Sequence, residues 1–185
     1  ALESGLAVGA VTLNGGNGPS RNLVVGGSAV IDAGAGDDEV DGPASRIDGG
    51  NGNDLINFYL DDQSRGATLA GGSDRDVVNI IGTASRDVLT VTNSGTGVRV
   101  DANGALINAS TVETLLLDGR GGADTFVIDN LETVDNLSSF NINFGQTVTQ
   151  VGTISRTEEI GDTEVTIEEP DLVASPDRAA DQLSL

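Results

Sequence analysis

The nonapeptide Gly49-Gly50-Asn51-Gly52-Asn53-Asp54-Leu55-Ile56-Asn57 joins a glycine-rich turn to the start of a strand. Three glycines in four positions permit positive φ values that a Cβ would oppose, and they let the backbone fold its carbonyl oxygens inward. A hard cation takes roughly six to eight oxygen ligands, with carboxylate among them to offset its charge. Asp54 supplies a carboxylate directly after the glycines. Ile56, two residues on, lies on the same side of an extended chain and anchors a core. One such turn gives only part of a coordination shell, so the reading requires equivalent turns stacked on it.

Aligned on that aspartate, looser copies stand on either side. Ala33-Gly34-Ala35-Gly36-Asp37-Asp38-Glu39-Val40-Asp41 precedes it and Gly71-Gly72-Ser73-Asp74-Arg75-Asp76-Val77-Val78-Asn79 follows. Both keep Asp at position six and an aliphatic residue at position eight. Gly82-Thr83-Ala84-Ser85-Arg86-Asp87 and Gly119-Arg120-Gly121-Gly122-Ala123-Asp124 keep the aspartate and lose glycines, whereas Gly15-Gly16-Asn17-Gly18-Pro19-Ser20 keeps glycines and loses the aspartate. An aliphatic residue and one spacer precede five of these turns: Leu13-Asn14, Ile31-Asp32, Ile47-Asp48, Leu69-Ala70 and Leu117-Asp118. Each turn is therefore flanked by strands. Turns beginning at 15, 33, 49 and 71 are spaced by 18, 16 and 22 residues, a period of the kind stacked-repeat folds use.

Composition agrees. The 185 residues include no Cys, Met, Trp, His or Lys, and every basic residue is Arg. Disulfides and thiolate metal sites are excluded, and so is histidine chemistry. A net charge of −20 repels polyanions, which argues against nucleic acid and anionic membrane surfaces and in favour of divalent cations. With 26 glycines and few aromatics, thin stacked coils of Val, Ile and Leu suit the chain better than a bulky core. No run of apolar residues is long enough to span a bilayer. Ala1 opens no charged-then-apolar leader, so a signal peptide is expected to be removed or to lie elsewhere in a precursor.

The repeat resembles the nonapeptide calcium repeat of repeats-in-toxin (RTX) proteins over roughly residues 13–127: Gly49 to Asn57 fits at every position, and the units at 33 and 71 each miss one glycine. The resemblance implies calcium held between stacked turns of a parallel β-roll, and secretion by bacteria. Family arrays often repeat every nine residues and bind on both edges. Here intact turns recur about every eighteen, and Pro43-Ala44-Ser45-Arg46 and Asp61-Asp62-Gln63-Ser64-Arg65 lack the glycine pattern, which predicts one calcium-loaded edge and one ordinary edge. The stretch from Gly82-Thr83 through Val112-Glu113-Thr114-Leu115 to Gly122-Ala123-Asp124-Thr125-Phe126 is also similar to repeats of very large bacterial surface proteins.

The expected fold is therefore all-β: a parallel β-roll or β-helix (solenoid) over residues 1–129, strands capping it over 130–155, and an acidic extended tail over 156–185. Within it, Asp87–Thr92 and Gly97–Asp101 read as strands joined by a hairpin at Asn93-Ser94-Gly95-Thr96. Asn141–Phe144 and Thr147–Val151 read as strands. The tail carries nine acidic residues and two arginines, a composition of disorder, yet Thr163–Glu168 alternates like a strand able to join an exposed sheet edge, including that of another copy.

The expected calcium ligands are Asp38, Asp54 and Asp76, with Gly34, Gly36, Asp37, Gly50, Asn51, Gly52, Asn53, Gly72, Asp74, Asp87 and Asp124 around them. Against this stands the plainer reading that each Asp merely caps its own turn. Arg46, Arg65, Arg75, Arg86 and Arg120 are expected to neutralise carboxylates. The functional expectation is a calcium-binding structural module of a secreted or cell-surface protein (adhesin, surface layer, matrix or filament), non-enzymatic, self-associating or part of a larger parent. The rival is a polysaccharide-binding or polysaccharide-modifying β-helix. Lacking His, Lys and Cys, and with Tyr59 its single tyrosine, the chain has only carboxylates and arginines for acid–base work.

Overall fold

A computed structural model describes residues 3–4, 12–23, 28–60, 66–129, 131, 134, 136–144, 153–160, 163–170 and 182–184. Sequence expectations at 61–65, 147–151 and 171–181 lie outside the described residues. Inward-facing aliphatics spaced by two and turns rich in glycine produce strands and no helix among the described residues.

The strands, in chain order, are β1 (Glu3–Ser4), β2 (Thr12–Asn14), β3 (Arg21–Leu23), β4 (Val30–Asp32), β5 (Glu39–Asp41) and β6 (Arg46–Asn51). There follow β7 (Leu55–Tyr59), β8 (Ala67–Ser73), β9 (Val77–Ile81), β10 (Val88–Asn93), β11 (Gly97–Ala102) and β12 (Ala105–Ser110). The last six are β13 (Thr114–Asp118), β14 (Thr125–Ile128), β15 (Ser139–Asn143), β16 (Thr153–Ile160), β17 (Thr163–Pro170) and β18 (Gln182–Ser184).

They form two nine-stranded sheets: sheet I in the order β1-β3-β5-β7-β9-β13-β15-β17-β16, and sheet II in the order β18-β14-β10-β11-β12-β8-β6-β4-β2. From β1 to β10 the chain alternates between sheets at every strand, and neighbours in each sheet run parallel. The sequence repeat fixes the register. Leu13, Ile31, Ile47 and Leu69 align across sheet II, and Val40, Ile56 and Val78 align across sheet I. Ile31, Ile47, Leu69, Val40, Ile56 and Val78 are all buried, within one core that both sheets share. Leu117 falls elsewhere than the sequence alignment suggests: it belongs to sheet I, beside Ile80 and Ile142.

The expected hairpin is present and longer than expected. Strands β10, β11 and β12 form an antiparallel meander, and β12 takes the place beside β8 that an uninterrupted winding would give to β10. Thr163–Glu168 lies within β17, which pairs in parallel with β15 of its own chain. No helix among the described residues is long and apolar enough to cross a membrane.

Candidate metal centre

Because the chain alternates between sheets, its connections fall into two sets at opposite ends of the strands. Turns 15–20, 33–38, 49–54 and 71–76 lead from sheet II to sheet I, with 111–113 next in line. Turns 82–87 and 119–124 lead back from sheet I to sheet II. The five aspartates thus divide: Asp38, Asp54 and Asp76 share one end, and Asp87 and Asp124 share the other. Aspartate turns therefore stand at both ends of the strands, the three at Asp38, Asp54 and Asp76 at one and the glycine-poor pair at Asp87 and Asp124 at the other.

Along the first set the carboxylates form a ladder. Oδ1 of Asp38 accepts the Ser20 N–H (2.5 Å), Oδ1 of Asp54 accepts the Asp38 N–H (2.8 Å), and Oδ1 of Asp76 accepts the Asp54 N–H (2.9 Å). Glu113 Oε2 closes the series on the Asp76 N–H at 2.8 Å. Each Oδ1 thus bonds the amide of a neighbouring turn, where the plainer reading has each Asp cap its own. In the second set Asp124 Oδ1 accepts the Asp87 N–H at 2.9 Å. Asp87 is also held by the Thr83 N–H (2.7 Å) and the Asn103 side-chain amide (2.7 Å).

All five aspartates are buried to within 2% of full. In Asp38, Asp54 and Asp76 the second oxygen, Oδ2, is buried with no hydrogen-bond partner. An uncompensated carboxylate oxygen away from water is costly unless it is protonated or meets a cation. Burial accordingly pushes Asp54 up from its ordinary 3.8 to about 6, opposed by the bond from the Asp38 amide and reinforced by the charges of Asp76, Asp38 and Asp37. Asp76 is likewise pushed up to about 6 by burial, opposed by the Asp54 amide and reinforced by Glu113 and Asp74.

The glycines leave space where those oxygens sit. A Cβ on Gly49 would run into both Asp54 Oδ2 and the carbonyl oxygen of Gly71, and one on Gly71 would run into Asp76 Oδ2 and the carbonyl oxygen of Thr111. A carboxylate oxygen and a carbonyl oxygen from the next turn therefore border one small cradle, repeated at successive turns. In the unit of Asp38, position one is Ala33, whose methyl group stands where the other turns have none. Gly34, Gly50 and Gly72 hold φ between 104° and 122°, and a Cβ on each would strike the glycine carbonyl of the preceding turn. Gly36 (114°), Gly52 (123°) and Asp74 (81°) share the same left-handed backbone at position four. The sequence expectation that these glycines take positive φ values holds at Gly34, Gly36, Gly50, Gly52 and Gly72.

Other expected ligands link successive turns on the surface. Asp37 Oδ1 accepts from the Asn53 backbone (2.8 Å) and side chain (3.2 Å), and Asn53 Oδ1 accepts the Arg75 N–H (3.3 Å), which makes an exposed outer rail. Asn51 is exposed, and its backbone pairs with Ser73. Carbonyls of Gly34, Gly49, Asn51 and Ser73 already accept amides of adjacent turns, leaving one lone pair each. Among the described residues no three acidic side chains converge on one point. Arg46 pairs with Asp48 at 2.7 Å within β6, and Arg120 lies over the Tyr59 ring at 5.2 Å.

No protein-family model matches the chain, and no curated protein matches it. The site stands on its geometry.

Donors here are all hard oxygens, buried carboxylate oxygens lack partners, and a glycine-made cradle adjoins two of them. That set fits a hard divalent cation. Two features escaped the sequence reading. Glu113 takes the sixth-position role because Thr114 pairs with Val77, and its only signal was its place directly before a strand. On the outward face of sheet I, Asn57 donates to Asp41 (2.9 Å) and Asn79 donates to Asn57 (2.7 Å), an amide ladder at position nine of three units.

Proposed function

We propose that the two sheets wind as a calcium-stiffened β-solenoid that serves as a structural module of a secreted or cell-surface protein. One observation carries the reading: Asp38, Asp54 and Asp76 are stacked in register and buried, each with one oxygen tied to the neighbouring turn and the other without a donor. Asp54 and Asp76, with the carbonyls of Gly71 and Thr111, are the residues that would hold calcium; Asp87 and Asp124 offer a second, smaller stack. When bound, calcium supplies positive charge that offsets the stacked carboxylates. The chain's own residues do the rest: the backbone N–H groups of the neighbouring turns orient each carboxylate, and the glycines keep the adjoining space open.

The resemblance to RTX-type repeats supports the same reading. With little calcium, the acidic chain repels itself and has modest apolar area to set against its conformational entropy. Outside the cell, where calcium is abundant, binding and folding become one equilibrium. Solenoid ends invite stacking on further repeats or on another copy. The composition supports a non-enzymatic role, since no His, Lys or Cys is present.

Far-UV circular dichroism during a calcium titration, with magnesium as control, tests the proposal. A gain of β signal or a higher melting temperature with calcium alone supports it. Identical spectra and melting in calcium and in chelator would overturn it.

A further inference from the structure

A shallow groove of about 280 Å³ crosses the outward face of sheet I over β9, β13 and β15, lined by Val77, Asn79, Thr114, Leu116, Asn141 and Asn143. In a chain of net charge −20 its lining is uncharged. The amide ladder ends at this groove. Asp41 accepts from Asn57 and Asn57 accepts from Asn79, so the Asn79 amide is fixed with its nitrogen toward the ladder. The next place in that column belongs to Leu116, which offers no hydrogen bond. Asn79 Oδ1 is therefore the last acceptor of a chain polarised toward the Asp41 carboxylate, which strengthens it. Beyond Leu116, Asn141 is fixed in turn by donating to Ser139 at 3.1 Å.

We propose that this groove binds an uncharged polyhydroxylated ligand, a segment of neutral polysaccharide. Hydroxyl donors match the Oδ1 atoms of Asn79 and Asn141, whose nitrogens are the atoms engaged in the two bonds just given, while Leu116 and Val77 supply an aliphatic floor for the C–H face of a sugar ring. The strand spacing of about 4.8 Å is comparable to the advance of one sugar residue. An anionic glycan is disfavoured by the surrounding charge. An extended peptide is disfavoured because β9, β13 and β15 are each paired on both sides, so no backbone edge is open for strand addition. The proposal is independent of the metal reading, since none of these residues belongs to the aspartate turns.

The test is affinity electrophoresis of the 185-residue chain through gels containing cellulose derivatives, xylan or galactomannan, with polygalacturonate and a casein gel as controls, in calcium buffer and in chelator. At least one neutral polysaccharide is expected to retard the protein. Asn79→Ala is expected to weaken retardation about tenfold, the equivalent of one lost hydrogen bond, and Leu116→Asp, which replaces the aliphatic floor with a charge, to weaken it at least as much, both with the dichroism spectrum unchanged. A variant that loses its fold is replaced by Asn141→Ala under the same criterion. The proposal is overturned if no neutral polysaccharide retards the chain, if polygalacturonate or casein retards it more, or if folded variants bind as well as the parent.

Discussion

The backbone N–H of Asp38 donates to Oδ1 of Asp54 at 2.8 Å, sixteen residues ahead in sequence and one turn along the stack. The bond makes each aspartate both a receiver and a support: its amide is satisfied by the next turn and its carboxylate satisfies the previous one. Charge is therefore separable from hydrogen bonding at these positions.

Asparagine and alanine at residue 54 should behave differently. Asp54→Asn keeps an oxygen for the Asp38 amide and removes a buried charge, so in chelator its stability should equal or exceed the parent's. Asp54→Ala leaves the buried Asp38 N–H without an acceptor and should cost about 1–3 kcal/mol. Both should lose calcium-dependent stabilisation. Urea midpoints with and without calcium measure each part.

The raised values of Asp54 and Asp76 set a pH dependence in chelator. Both hold protons in the folded state up to about pH 6 but release them near 3.8 when unfolded. Between those values the folded state binds more protons, so stability is full below about pH 4, falls as pH rises, and levels off above about 6. Calcium bound as proposed would compete with protons for the same oxygens, so its addition should flatten or reverse the slope. Denaturant midpoints from pH 3.5 to 7 (about the window set by the two states) check the sign, and Asp54→Asn should shrink the slope.

Ala33 and Gly49 occupy equivalent places in two turns. Gly49→Ala should fill the cradle beside Asp54, as Ala33 already does beside Asp38, and diminish the calcium response, at some cost in stability because the new Cβ meets the Gly71 carbonyl oxygen. Ala33→Gly should enlarge that response. Calorimetric calcium titration of the two variants gives opposite changes in bound metal if the cradle is the site.

Gly50 and Asp74 test the backbone. Gly50→Ala adds a Cβ at φ 104° against the Gly34 carbonyl and should cost more than about 1 kcal/mol. Asp74 sits at φ 81° where Gly36 and Gly52 stand in other turns, so Asp74→Gly should be neutral or stabilising in chelator. Thermal melting distinguishes the two directions.

Much of this arrangement could be read from residue spacing. The aliphatics at position eight of the units at 33, 49 and 71, and those two residues ahead of the turns at 15, 33, 49 and 71, mark both inward columns, because strand periodicity and a near-constant repeat leave one register that buries them; Leu117 does not follow that pattern. The division of aspartates between two ends could not be read, since Asp54 and Asp87 look alike locally. What separates them is which sheet the preceding strand joins, a non-local property that the β10–β12 meander alters. Glu113 was hidden for a related reason: it lies 37 residues from the amide it accepts, with no glycine turn before it. The Asp41–Asn57–Asn79 rail was overlooked because the outward residues of a repeat carry no burial signal.

That meander also bears on how the chain finds its native arrangement. Leu89 faces Ala102 and Asn93 faces Val98, contacts between near neighbours in sequence, whereas the parallel neighbours Asp54 and Asp76 are 22 residues apart. Short loops close with the least entropy, so the antiparallel segment is the natural nucleus, and β8 and β14 on its two flanks are where zipping starts in either direction. A chain emerging in order would thus wait for its middle before its beginning could lock.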